Sequence, residues 1–162
     1  MIAAKVVRDF VMQFGVKLNL NEDLLVEREG RFFLLNNSQV KTLVKDDFFY
    51  AGLFLGKVRM GNFFPSFNLL SIIAAQEEVS RVVVDKKAGW LFICGRDIFK
   101  KGILKTCGRI QRNCHVLVVN EFNECLGFGR VLAGLEQQTV KNVFAVANVL
   151  DVGDFLRRER NV

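Results

Sequence analysis

Between residues 81 and 149 the sequence holds five short apolar runs, and they narrow the fold more than any other feature. They are RVVVD (81–85), WLFIC (90–94), HVLVV (115–119), CLGFGRVL (125–132) and NVFAVANV (142–149). Each is bounded by turn-forming stretches such as KKAG and NEFNE, a pattern that predicts strands. VLVV and WLFI are apolar at consecutive positions. Successive side chains of a strand point to opposite faces, so these strands must be buried on both sides. In a small domain that requirement is met by a sheet closed, or nearly closed, on itself.

The first half reads differently. Val6, Val7, Phe10, Val11 and Phe14 recur at helical spacing, which predicts an amphipathic helix over residues 3–14 stopped at Gly15. LLVEREGRFFLLN has Glu29-Gly30 between two apolar runs and predicts a β-hairpin. FFYAGLFLGKVR predicts an extended or mixed segment in which Gly56 marks a turn or a close backbone approach. A helix is predicted over 67–78, just after Pro65. The fold class is therefore α+β, with an N-terminal mixed α/β domain at 1–77 and a C-terminal mixed β pseudo-barrel at 78–162. Three Phe-Phe pairs (32–33, 48–49, 63–64) lie in the first half. Core burial and an exposed aromatic patch for a protein or a base both remain open for them.

Catalytic constellations are missing from the sequence. The single histidine, His115, falls in a predicted strand whose adjacent residues point the other way, which leaves it a structural role. Neither common nucleotide-phosphate loop is present; GFGR (127–130) lies in a strand pattern, where Gly127 and Gly129 share a face and let a backbone or ligand approach. Cys94, Cys107, Cys114 and Cys125 form no C-x-x-C pair and are expected to be reduced core residues, with no metal and no cofactor. The N-terminus carries Lys5, Arg8 and Asp9 inside its apolar run, unlike a secretory signal, and the longest uncharged stretch (60–76) is too short and interrupted to span a bilayer. The expectation is a cytoplasmic monomer without a membrane partner.

Charge is the positive signal. The chain carries a net charge of +6, with a pI near 9.4, which favours a polyanionic partner. Within 94–112, Arg96, Lys100, Lys101, Lys105, Arg109 and Arg112 face one carboxylate, Asp97. Asp97 is predicted to cap a short helix over 98–101 that Gly102 ends, with Ile98 inward and Lys100 and Lys101 outward. A second basic group, Arg157, Arg158 and Arg160, closes the chain.

WLFICGRDIFKKGI, the following HVLVVNEFNECLGFGRVL and their order resemble a PUA domain, the pseudo-barrel first recognised in pseudouridine synthases and archaeosine transglycosylases. The N-terminal helix ending in FG, the LLVEREGRFFLL hairpin, GLFLGKVR…FNLLSIIAA and NVLDVGDFLRRE extend the likeness over nearly the whole chain, to the archaeal type of the Nip-seven family of ribosome-biogenesis factors. The resemblance implies a non-catalytic factor that binds rRNA or pre-rRNA through the PUA domain, while the N-terminal domain contacts assembly or RNA-processing proteins; a protein scaffold with weak or no RNA binding is the alternative. In a eukaryote it implies a nucleolar location. Carried onto this chain, the RNA contacts fall on Arg96, Lys100, Lys101, Arg157, Arg158 and Arg160, with Arg130 beside them. The match is loose at ILKTCGRIQR, so Lys105, Arg109 and Arg112 stand on charge alone.

Overall fold

A computed structural model describes residues 2–44, 47–132 and 143–159. The chain divides into two compact units: Met1–Met12 with Lys17–Ile73, and Gln13–Val16 with Ala74–Val162.

In the first unit, helix α1 (Ile2–Met12) precedes a meander of four antiparallel strands, β1 (Leu25–Arg28), β2 (Arg31–Leu34), β3 (Leu53–Arg59) and β4 (Asn62–Pro65), in sequential order. Helices α2 (Ser38–Leu43) and α3 (Phe67–Ala74) complete it. The Glu29-Gly30 hairpin forms as the sequence predicts, with positive φ at both residues. Gly56 serves a close approach: it lies inside β3, where a Cβ would fall 2.5 Å from the Phe64 carbonyl oxygen. Ser66 ends the strand and begins α3, its Oγ accepting from the Leu69 amide at 3.2 Å. The helix stops at Ala74, four residues short of the sequence expectation.

The Phe-Phe pairs divide. Phe32 and Phe33 are both buried, Phe32 against Phe63 and Phe33 within a separate group of rings. Phe48 and Phe63 are half-buried, whereas Phe49 is 76% exposed and Phe64 is exposed. The Phe33 ring gathers Phe48, Tyr50 and Phe54 at centroid distances of 5.7, 5.1 and 5.4 Å.

The second unit is built on a six-stranded sheet of β5 (Arg81–Val84), β6 (Ile98–Phe99), β7 (Ile103–Cys107), β8 (His115–Val119), β9 (Cys125–Val131) and β10 (Phe144–Asp151). Their spatial order is β6-β10-β9-β8-β5-β7, antiparallel except for the β5–β8 pair. The two outermost strands, β6 and β7, are joined by one 3-10 turn, Lys100–Gly102. A flat six-stranded sheet would separate its edges by about 24 Å. The chain from Phe99 to Ile103 reaches at most about 14 Å. The sheet therefore curls, bringing its edges to either end of one turn. Val82, Val84, Phe92, Ile98, Val116, Val118, Val131 and Val146 fill the interior. Both faces of β8 are buried, as its uninterrupted apolar run requires.

One predicted strand is a helix. Residues 90–93 of WLFIC lie in α4 (Lys86–Ile93) with Cys94 as its C-cap, and KKAG forms its first turn. A four-residue apolar run has no period that separates strand from helix; the caps decide. The Asp85 carboxylate accepts from the Ala88 amide at 2.7 Å. At the other end Gly95, at φ +86°, donates to Phe92 O (2.8 Å), and Arg96 donates to Leu91 O (3.0 Å), a Schellman ending. Helix α5 (Asp154–Glu159) closes the described chain.

Candidate nucleic-acid interface

The Schellman turn that ends α4 delivers Arg96 to the surface. The next residues do not form the Asp97-capped helix predicted from the sequence. Asp97 Oδ1 instead accepts from the backbone amide of Asn148 on β10, at 2.8 Å. Ile98 and Phe99 pair with β10, and the 3-10 turn begins at Phe99 without a side-chain cap. Gly102 is not a helix stop; it is buried because a Cβ there would come within 2.5 Å of Ala88 Cβ and push α4 away. Ile98 does face the core, at 1% exposure. Lys100 and Lys101 project from the turn, half-buried and exposed respectively.

The turn brings in an aromatic pair that the sequence did not announce. Phe99 and Phe144 stand opposite each other in the β6–β10 ladder, with ring centroids 4.1 Å apart and planes at 25°. The Lys101 ammonium lies 5.5 Å from the Phe99 centroid. The two phenylalanines are 45 positions apart in the chain, and only strand register joins them.

Lys105 is exposed on β7, and Arg109 and Arg112 are exposed on the loop that follows. This loop is pinned at its base. Gly108, at φ +71°, passes so close to Ser80 that a Cβ would fall 2.8 Å from its amide nitrogen, and the buried Ser80 hydroxyl donates to Arg109 O at 2.9 Å. Arg130 is exposed on β9. Among the described residues, none of Arg96, Lys100, Lys101, Lys105, Arg109, Arg112 and Arg130 makes an ion pair. Lys100 and Lys101 share the turn with Arg96 a few residues upstream, whereas Arg130 stands on β9, separated from β6 by β10.

Arg157 is used otherwise. Its guanidinium forms a bidentate pair with Asp151 (2.9 and 2.7 Å) and donates to Ile93 O at 2.6 Å. Asp151 is 1% exposed and also accepts from Gly153 N and Asn148 Nδ2. The Asp151 carboxylate, by hydrogen bond and charge, raises the Arg157 pKa above its ordinary value. Gly153 leaves no room for a side chain, since a Cβ there would meet Ile93 O at 2.0 Å, and Gly95 lies against the guanidinium, where a Cβ would fall 3.2 Å from Cζ. Arg157 thus fastens α5 to the end of α4, and the contact proposed for it from sequence must compete with that work. The Arg158 side chain and the whole of Arg160 lie outside the described residues.

His115 packs against Phe14 and edge-on to Phe128, with centroids 6.3 and 5.5 Å away. Burial, and then the charge of Arg130, its cross-strand neighbour, lower its pKa below the usual value. The cysteines are free thiols and, contrary to the sequence expectation, none is fully buried: Cys94 is exposed and the other three are half-buried. Burial pushes the Cys125 thiol up to about 11, far from a thiolate at neutral pH. Gly127 and Gly129 do admit another backbone, since Cβ atoms there would meet the Leu150 and Ala147 carbonyl oxygens of β10 at 2.0 and 2.4 Å. Among the described residues no three His, Cys, Asp or Glu side chains gather to hold a metal ion, and no helix is long and apolar enough to cross a membrane.

The sequence profile of the UPF0113 PUA domain matches residues 80–160. The chain belongs to this family. A UPF0113 protein of Archaeoglobus fulgidus is 33% identical over 87 residues, which cover 50% of this chain and 47% of that protein. The match thus spans about half the length of this curated relative. Two solved structures share the fold along nearly the whole chain. A conserved PUA domain protein from Thermoplasma acidophilum has a TM-score of 0.61 at 18% identity, covering 96% of this chain and 93% of its own. A hypothetical protein of Pyrococcus horikoshii has a TM-score of 0.58 at 19% identity, covering 97% and 93%. The curled sheet of the second unit is accordingly a PUA pseudo-barrel, with the 94–112 segment joining α4 to its two edge strands.

Proposed function

We propose that this chain is a non-catalytic RNA-binding factor of ribosome biogenesis, of the Nip-seven type, which contacts pre-rRNA through the basic surface of its PUA unit during large-subunit assembly. One observation carries the reading: seven cations of the PUA unit make no ion pair with any described residue, on a fold whose family resemblance implies RNA. An internal salt-bridge network would have consumed them, as it does Arg157. A non-catalytic role agrees with His115, lodged against Phe14 and Phe128, and with the Cys125 thiol, which burial pushes up to about 11.

The test is the binding of rRNA-derived and uridine-rich oligonucleotides across a salt series. Neutralising about five phosphates on a single strand gives a slope of roughly −3.5 in log K against log salt, or about a hundredfold loss between about 50 and 200 mM. Arg96→Ala/Lys100→Ala/Lys101→Ala weakens binding; unchanged affinity in that variant rejects the surface.

The second reading, a protein scaffold, draws on the first unit. Phe49 is exposed beneath the Arg31 guanidinium, 4.6 Å from its centroid, and Tyr50 and Leu43 are exposed nearby in sequence. It is favoured over RNA binding if a partner complex survives ribonuclease treatment while the purified chain shows no RNA affinity at physiological salt.

A further inference from the structure

We propose that the Phe99–Phe144 pair on the β6–β10 edge is a stacking platform for one unpaired base of single-stranded RNA, with Lys100 and Lys101 holding the adjoining phosphates. The inference rests on the RNA-binding reading and gives it a substrate class, since a duplex has no free base face to offer.

Four observations carry it. The first is geometry: the other ring pairs among the described residues meet tilted or edge-on, from 39° for Phe14–His115 to 85° for Phe14–Phe128, but Phe99 and Phe144 are stacked at 25°. Parallel rings leave an outward flat face on which a base continues the stack. The second is exposure. Phe144 is 45% exposed although it belongs to a strand whose next two residues are buried. The third is charge. The chain leaves Phe99 directly into Lys100 and Lys101, neither of them in an ion pair with a described residue, and the backbone amide of Lys100 donates to Val143 O at 2.9 Å, which ties the cationic turn to the residue before Phe144.

The fourth is a neighbouring groove of about 270 Å³ lined by Phe99, Lys101, Lys87, Leu91, Asp85 and Asp97. Both carboxylates accept backbone amide hydrogens, from Ala88 and Asn148, which fixes them in place on the groove wall. A groove with two lysines and an aromatic wall beside a flat platform suits a nucleotide chain that lays one base on Phe144 and continues past Lys101. Apolar side chains of a protein partner would have no use for Lys100 and Lys101 at the edge of the platform, which pair with no described acid.

Stacking and charge are separable because only the second depends on salt. The probe is a fluorescently labelled uridine-rich RNA oligonucleotide, together with a set in which one abasic residue is moved along it, read by anisotropy. Phe144→Leu keeps apolar volume and removes the aromatic face, and Phe144→Trp restores it; thermal melts establish that both fold. The expected result is about a tenfold loss of affinity in Phe144→Leu, within the range seen for single base–aromatic stacks. The salt slope stays that of the wild type, and Phe144→Trp recovers affinity. One abasic position weakens wild-type binding by a similar factor and leaves Phe144→Leu binding unaffected. If wild type binds RNA but Phe144→Leu binds equally well, the platform is overturned while the basic-surface reading stands. If Phe144→Leu instead loses a protein partner with unchanged RNA affinity, the patch belongs to that protein and the proposal fails. If the wild-type chain does not bind RNA at all, both readings fall together.

Discussion

Arg157 and the Arg96–Lys101 segment are two basic regions of one small pseudo-barrel, and in sequence they look alike. Each is a cluster of cations with acids close by in the chain, Asp97 in one and Asp151, Asp154 and Glu159 in the other. In the structure Arg157 meets a buried carboxylate in a bidentate pair and closes a network through Asn148 and Gly153, whereas Asp97, the acid of the other cluster, is taken by the backbone amide of Asn148. The cations around Asp97 are therefore left for solvent or a ligand. Which acid is reached by a side chain, and which by a backbone amide, separates a structural clamp from a binding surface.

Arg157→Ala is the severest test of this contrast. It leaves the Asp151 carboxylate buried without its cation, a change that costs about 3–5 kcal/mol in fully buried pairs. Arg157 is itself partly exposed and Asp151 keeps two other donors, so the expected loss is about 2 kcal/mol by urea denaturation. The RNA salt slope should not change. A slope shallower by about 0.7 would mean that Arg157 neutralises a phosphate as well.

The triple variant Arg96→Ala/Lys100→Ala/Lys101→Ala inverts the pattern. Its stability stays within about 0.5 kcal/mol of wild type, since no ion pair with a described residue is lost and only the surface contact of Lys101 with Phe99 goes. Its salt slope becomes shallower by about 2 if each cation meets a phosphate. A large loss of stability would show that these cations, too, serve the fold.

Asn148 links the two regions, its amide bonding Asp97 and its side chain bonding Phe92 O and Asp151. Asn148→Ala removes two side-chain hydrogen bonds but keeps the backbone one, and about 1 kcal/mol of destabilisation follows. Combined with Arg157→Ala the losses should be non-additive, because both act on Asp151.

The smallest effect belongs to His115. Its folded pKa lies below its unfolded value, so the unfolded chain takes up the proton first as pH falls. Its contribution to stability is complete above the unfolded value of about 6.5 and is lost as pH drops below it, by less than about 1.4 kcal/mol per pH unit. As the only histidine, it gives one imidazole titration by NMR. Arg130→Gln should raise that titration point, and so should RNA if a phosphate neutralises Arg130. No movement with RNA would place Arg130 outside the interface.

Much of the architecture was legible in the chain. HVLVV is strand β8 at its predicted limits, RVVVD and CLGFGRVL run one residue past β5 and β9, and β10 continues two residues beyond NVFAVANV, whose Asn142 lies outside the described residues. These runs carry their own signal, because a strand buried on both faces must be apolar at every position. WLFIC misled for the same reason: it has that composition, yet α4 forms because Asp85 and Gly95 supply caps at helical spacing. The Asp97 cap failed because its acceptor oxygen found an amide 51 residues away that local sequence does not reveal.

The sequence by itself determined an apolar pseudo-barrel with its cations concentrated between residues 96 and 112, since burial and charge are properties of residues in order. Only the tertiary structure decided which cations stay free and which aromatic rings stack. Arg157 is committed because strand β10 places Asp151 under it, and Phe144 meets Phe99 because the curled sheet pairs β10 with its edge strand. Both are contacts between distant parts of the chain, fixed by ladder register and closure rather than by any local preference.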